Sequence, residues 1–350
     1  MNPYLLIVLL TSLGLGTALT LSSTHWLLAW LGLEVGTLAI LPLMAQRHHP
    51  RATEAATKYF IVQATAAATL LFAAFNNAWL QGHSDIQHMS HPLFTSMITL
   101  ALLLKLGLAP MHTWMPQVIQ GVSLNTGLIV STWQKIAPFI LLLQIKQIHP
   151  PLLTIIGLAS ILIGGWGGLN QTQLRKILAY SSIAHLGWIL LILQHSTALA
   201  TYALLIYIFM TSATFITLKK CKATTINMLT TTWTKAPTIT LVAPLMLLSL
   251  GGLPPLSGFA PKWFILQELT QLNFIPHASI AAMAALLSLS YYLRLSYSIT
   301  LSLSPNNLPE CLQWRVNYPI STPLSSALPA ALALTLFLLP LTPSALTLII

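Results

Sequence analysis

Polar residues in this chain gather in short clusters, and between them run apolar stretches of about 20 residues, the length that crosses a hydrocarbon layer of roughly 30 Å as an α-helix. The pattern predicts spanning segments at 3–21, 25–45, 54–79, 93–121, 122–144, 151–169, 173–194, 197–218, 237–272, 277–302 and 324–346, eleven crossings. Two of these, 93–121 and 237–272, are too long for one straight helix. Each carries the same interruption. "GLAPMHTWMP" from Gly107 to Pro116 and "GLPPLSGFAP" from Gly252 to Pro261 share the skeleton Gly-Leu-x-Pro, five residues, Pro, 145 positions apart.

Composition agrees with the pattern. Of 350 residues, 55% are hydrophobic and only 6% charged, against roughly 25% charged in soluble domains. No soluble core uses that much apolar sequence, so an all-α polytopic membrane protein is expected. The stretch Tyr4–Leu21 has no preceding positive charge, the first basic residue being Arg47, and reads as a retained spanning helix and not a signal peptide. Cys221 and Cys311 form no CxxC, and no ligand set for haem, an iron-sulfur cluster or zinc is expected. The net charge of +10 sits at segment ends without a basic-aromatic stripe, which argues against nucleic acid as a partner.

Topology explains that charge. With eleven crossings, one face collects Arg47, Arg51, Arg175, Lys176, Lys219, Lys220, Lys222, Lys235 and Arg315, and the other only Lys146. The positive-inside rule places the amino terminus on the first face. The two interrupted segments then cross in opposite directions, as parts of an inverted repeat: a first repeat over about 1–145, shortened at its N-terminus, a second over about 151–302, and a C-terminal helix at 324–346. Proline removes a backbone donor, so each interruption frees polar backbone inside the membrane, and transporter folds place ion sites at such broken helices.

Four ionisable residues lie near the middle of their segments: Glu34, Lys105, Lys135 and Lys262. Each costs about 3 kcal/mol at the bilayer centre on insertion scales. Lys105 and Lys262 border the two interruptions, and Lys135 stands three residues before Pro138, another expected interruption. Desolvation disfavours a lysine ammonium and a nearby carboxylate restores it, so a lysine between these pulls can take up and release a proton. Glu34 is the expected partner of Lys105. The alternative for these four is a static ion pair or a lysine capping broken-helix carbonyls. His112 and His185 are placed either to extend a proton path or to pack. Lys58 and Arg294 are expected to snorkel, Glu268 to be an exit group or interfacial, and Gly32, Gly36, Gly164 and Gly168 to pack neighbouring helices. The loop holding His83, Asp85, His88 and His91 is not expected to bind metal.

With "MNPY", "LEVGTLAILPLM", "ATKYFIVQATAA", "LKLGLAPMHTWMPQV", "STWQKIAP", "QTQLRKILAYSSIAHLGW" and "LSLGGLPPLSGFAPKW" in order along its length, the chain resembles the antiporter-like membrane subunits of mitochondrial NADH-ubiquinone oxidoreductase, respiratory complex I, in their vertebrate form. The resemblance implies a proton-pumping subunit of the membrane arm in the mitochondrial inner membrane, with the basic loops in the matrix. It places the family's central glutamate on Glu34, its broken-helix lysine on Lys105, the relay lysine on Lys135 and the distal lysine on Lys262, where relatives also carry glutamate. It implies other membrane-arm and accessory subunits as partners, a lipid bilayer with cardiolipin, and no cofactor in this chain. NADH, FMN, iron-sulfur clusters and ubiquinone would belong to other subunits. A stand-alone cation/proton antiporter needs much the same residues, and a non-pumping scaffold needs none of the lysines.

Overall fold

The computed structural model describes residues 3–46, 49–89, 91–145, 149–234, 237–254 and 256–302. Their helices are α1 (Pro3–Ser22), α2 (Trp26–Met44), α3 (Pro50–Gln81), α4 (Pro92–Leu106), α5 (Trp114–Gly121), α6 (Leu124–Ser131), α7 (Trp133–Gln144), α8 (Pro150–Gly168), α9 (Leu174–Leu193), α10 (Thr197–Cys221), α11 (Ile226–Thr230), α12 (Pro237–Gly251), α13 (Phe259–Gln271) and α14 (Ile275–Thr300). A 3-10 turn, Thr231–Thr234, follows α11.

Counting α6 with α7, eight of these segments are long and apolar enough to cross a membrane. The segments expected at 93–121 and 237–272 each divide into two helices, α4 with α5 and α12 with α13. The span expected at 324–346 lies outside the described residues, as do Arg47, Lys146, Lys235, Cys311 and Arg315. Prolines open α3, α4, α8 and α12, where the missing N–H is one the helix would not have used. α3 starts earlier than expected, because His49 accepts the Arg51 N–H at 3.2 Å and caps a turn that hydropathy alone leaves outside.

Among the described residues the chain forms two compact units. The first comprises Met1–Gly168 with Arg175–Ala200. Here α1 meets α2 through glycine: a Cβ on Gly16 would lie 2.8 Å from the Gly32 carbonyl oxygen and 2.9 Å from the Gly36 nitrogen. The expected packing role of Gly32 and Gly36 is realised, and backbone approach supplies van der Waals contact that lipid cannot. Gly164 meets α9 similarly, its Cβ position 2.7 Å from the Ala184 nitrogen. Gly16→Leu should therefore cost about 1–3 kcal/mol by overpacking. The measurement is thermal unfolding, and an unchanged midpoint would show that α1 and α2 are not clamped there. The outward sides of α1, α3 and α8 show Ile7, Ile61 and Ile155 to the surroundings, as lipid-facing helices do, whereas α9 is buried almost all round.

The second unit comprises Leu169–Leu174 with the described residues from Thr201 onward. Ala213, Met246 and Leu256 form a buried cluster joining α10, α12 and the segment after α12. The Trp233 indole donates to the Ile299 carbonyl at 2.8 Å, and the Arg294 guanidinium donates to the Leu169 carbonyl at 2.9 Å. In the first unit the Lys58 ammonium pairs with Glu54 one turn back at 2.6 Å. Both cations expected to snorkel thus find fixed polar partners near helix ends.

Candidate functional site

The two interrupted segments break by one local device. Gly107 (φ 75°) and Gly252 (φ 81°) adopt left-handed backbone just after α4 and α12. The Gly107 N–H donates to the Leu104 carbonyl at 3.0 Å and the Leu108 N–H to Leu103 at 3.1 Å. In the second unit the Gly252 N–H donates to Ser249 at 3.0 Å and the Leu253 N–H to Leu248 at 3.4 Å. These are Schellman closures, which glycine enters without a Cβ penalty. They satisfy two terminal carbonyls and leave the last ones open.

A lysine occupies the same place in each break. The Lys135 ammonium donates to the Leu106 carbonyl at 3.3 Å, and the Lys262 ammonium to the Gly251 carbonyl at 2.8 Å. Both acceptors immediately precede the left-handed glycine. The negative end of a helix dipole favours a cation there. Lys135 arrives from α7, which packs on α4, whereas Lys262 comes from α13, just beyond its own break. Gly258 lets that return close up, because a Cβ there would overlap the Ser249 carbonyl.

Lys105, which borders the first break in sequence, makes no hydrogen bond to its carbonyls. Helical side chains lean toward the N-terminus of their helix, so a residue in the last turn points back along α4. Its ammonium is buried, with no hydrogen-bond partner among the described residues. It lines a narrow cavity with Lys135, Thr37, Tyr59, Gln63 and Gln134, with room for about one water molecule. Glu34, half-buried on α2, is close enough for its charge to act on Lys105, but the two make no ion pair at contact distance. The Thr37 hydroxyl donates to the Glu34 backbone carbonyl at 2.9 Å, with the carboxylate 3.2 Å away. In place of the expected direct pairing, the charge of Glu34 acts on Lys105 through space.

The interruption expected at Pro138 falls earlier. α7 runs through Pro138, and the helix breaks at Thr132 (φ −114°, ψ −68°), whose hydroxyl donates to the Leu128 carbonyl at 2.7 Å. A proline ring presses on the preceding turn, and here the backbone yields N-terminal to it. The Gln134 amide donates to the Gly36 carbonyl at 3.1 Å, which ties α7 to α2 beside Lys135.

His112 lies in the first break with its Nδ1 3.1 Å from the Pro110 carbonyl, and His185 sits partly buried in α9; neither lines the cavity. Glu268 is half-buried in the last turn of α13. Among the described residues no three histidines, cysteines or carboxylates are grouped to hold a metal, although Asp85 sits 2.9 Å from His25. Tyr59 and Gln63 were not singled out from sequence. Their signal is two polar residues four apart on the buried, alanine-rich face of α3.

Comparison with known proteins places this arrangement. The family model described as NADH:quinone oxidoreductase/Mrp antiporter, TM, matches residues 23–288, and the one described as NADH dehydrogenase subunit 2 C-terminus matches 289–346. The NADH-ubiquinone oxidoreductase chain 2 of Tetraodon nigroviridis is 59% identical over 99% of this chain and 99% of its own length. A chain in the structure of respiratory complex I from Thermus thermophilus with bound aureothin superposes with a TM-score of 0.82 at 29% identity, over 96% of this chain and 78% of that one. A chain of the Mrp complex from a Dietzia species shares the fold, with a TM-score of 0.79 at 18% identity over 95% of this chain and 74% of that one. With full-length identity to such relatives and a family model across most of its helices, this chain belongs to the NADH-ubiquinone oxidoreductase chain 2 family of antiporter-like membrane proteins.

Proposed function

We propose that this chain is a proton-translocating subunit in the membrane arm of NADH:ubiquinone oxidoreductase, and that Glu34, Lys105, Lys135 and Lys262 carry the protons. The observation that carries the reading is the pair of buried lysines, Lys105 and Lys135, on one small polar cavity beside a broken helix. A lysine without a fixed partner next to a lysine on a carbonyl is an arrangement in which a proton has two unequal sites. Moving the charge of Glu34 relative to Lys105 shifts the balance between them. Lys262, on the matching carbonyl of the second break, serves as the distal station.

The likeness to complex I supports the remaining assignments. Electrons pass from NADH through FMN and iron-sulfur clusters to ubiquinone in other subunits, and conformational and electrostatic coupling drives this one. Its partners are membrane-arm and accessory subunits and the bilayer, with cardiolipin at its basic loops. The chain resides in the mitochondrial inner membrane with the amino terminus and basic loops in the matrix. The two breaks belong to inverted repeats over about 1–145 and 151–302.

Lys105→Met in the assembled enzyme tests the reading, by protons translocated per NADH oxidised in sealed vesicles. The expected result is normal assembly with a lowered ratio. An unchanged ratio would favour the scaffold reading. Cation-driven proton movement by the isolated, reconstituted chain would favour the stand-alone antiporter.

A further inference from the structure

The break at Thr132 frees the first turn of α7 from the helix before it. The Thr132 hydroxyl donates back to the Leu128 carbonyl, and the Lys135 N–H reaches the Thr132 carbonyl at 3.3 Å, a long bond. The first N–H groups of a helix have no acceptor within it. What holds this turn from outside therefore sets where Lys135 stands. Gln134 lies between the break and Lys135, half-buried in the cavity wall, and its amide donates to the Gly36 carbonyl at 3.1 Å across 98 positions of sequence.

The acceptor is on the helix that carries Glu34, two residues further on. A carbonyl has a second lone pair beside the one used in its own helix, so Gly36 can take a side-chain donor without losing helical structure. The amide lies against bare backbone, because a Cβ on Gly36 would meet the Gln134 Oε1 at 3.9 Å. At the same residue α2 is pressed on α1, the Cβ position of Gly16 being 2.9 Å from the Gly36 nitrogen. Leu33 and Thr37, neighbours of Glu34 along α2, line the cavity with Lys105 and Lys135. A glutamine that merely glued α2 to α7 would serve anywhere along the two helices. This one stands next to the lysine, at the free start of its helix.

Resting on the function proposed above, we infer that Gln134 is a positioning residue that couples α2 to the start of α7, so that a shift of the Glu34 helix moves the Lys135 ammonium against the Leu106 carbonyl. Glu34 then acts on the two lysines by two routes. It reaches Lys105 through its field and Lys135 through the Gln134 bond. The tie keeps both lysines in step with one carboxylate.

Gln134→Met removes the amide and keeps length and approximate volume. In the assembled enzyme its thermal unfolding midpoint should stay near wild type, and the rate of coupled proton translocation should fall roughly threefold, the bias that one hydrogen bond between membrane helices exerts. Gln134→His should restore much of that rate at about pH 8, because a neutral imidazole of similar reach still offers an N–H to the Gly36 carbonyl. A double variant with Glu34→Gln should pump no worse than Glu34→Gln alone, since the tie passes on what the Glu34 charge drives. Losses that multiply in the double variant would overturn the coupling and leave Gln134 as helix packing. Wild-type pumping by Gln134→Met while Lys105→Met is impaired overturns it too, and leaves the proposed function standing. If Lys105→Met is also unimpaired, both fail. Should Gln134→Met not assemble, Gln134→Asn, whose amide is one methylene short of Gly36, decides by the same readouts.

Discussion

Gly252→Ala is expected to cost more than Gly107→Ala, although both replace a left-handed glycine at the end of a broken helix. The backbone penalty is shared, since φ is 81° at one and 75° at the other, and a side chain in that region costs about 1–3 kcal/mol. The surroundings differ. A Cβ on Gly252 would lie 2.9 Å from the Lys262 Nζ and 3.0 Å from its Cδ, whereas one on Gly107 would meet the Trp114 ring at 3.0 Å. In the second break the flexible end of Lys262 must shift, which weakens its bond to the Gly251 carbonyl, worth about 0.5–1.5 kcal/mol. In the first, Lys135 can keep its carbonyl. Thermal unfolding together with proton translocation per NADH checks this. Both variants should lose stability, and Gly252→Ala should lose the larger share of pumping. Equal effects on pumping would show that the Lys262 contact does not matter to transport.

Lys135→Met is expected to separate stability from transport. The substitution removes a buried cation, which costs about 3 kcal/mol to place at membrane depth, and it also removes the donor to the Leu106 carbonyl, a loss of about 1–3 kcal/mol. The two changes oppose one another, as they do when buried charges give way to apolar side chains of similar size. The unfolding midpoint should therefore move little, while proton translocation falls to the level of Lys105→Met, because both lysines border one cavity. Lys135→Arg should not rescue it. A guanidinium reaches the carbonyl but does not release a proton at these pH values. If the Met variant instead fails to assemble and the Arg variant pumps, Lys135 is a helix cap and not a proton carrier.

The Gly-Leu-x-Pro breaks were legible because their cause is local. Glycine tolerates positive φ and proline lacks a donor wherever they occur in a helix. The small-residue contact of Gly16 with Gly32 and Gly36 was half legible: spacing marked the α2 glycines, and nothing in the spacing named the partner helix. Pro138 misled by nearly two turns, since the helix breaks six residues before it, at Thr132. Lys105 was legible only in part. Proximity in sequence to Gly107 placed it at the break, but it is Lys135, from another helix, that donates to the break carbonyl, while the Lys105 ammonium makes no hydrogen bond.

By itself, then, the sequence determined that the chain lives in a membrane, where its apolar helices run, where two of them are interrupted, and that four ionisable groups lie at depth. Each of these follows from the solvation of single residues or from backbone rules acting over a few positions. The tertiary structure alone decided that Lys135, 29 residues away, reaches the carbonyl of Leu106, that Lys105 and Lys135 share one cavity, and that Tyr59 and Gln63 complete its wall. Those contacts depend on how α3, α4 and α7 pack. Helix packing is a sum of many weak side-chain contacts between distant segments, which no local pattern encodes.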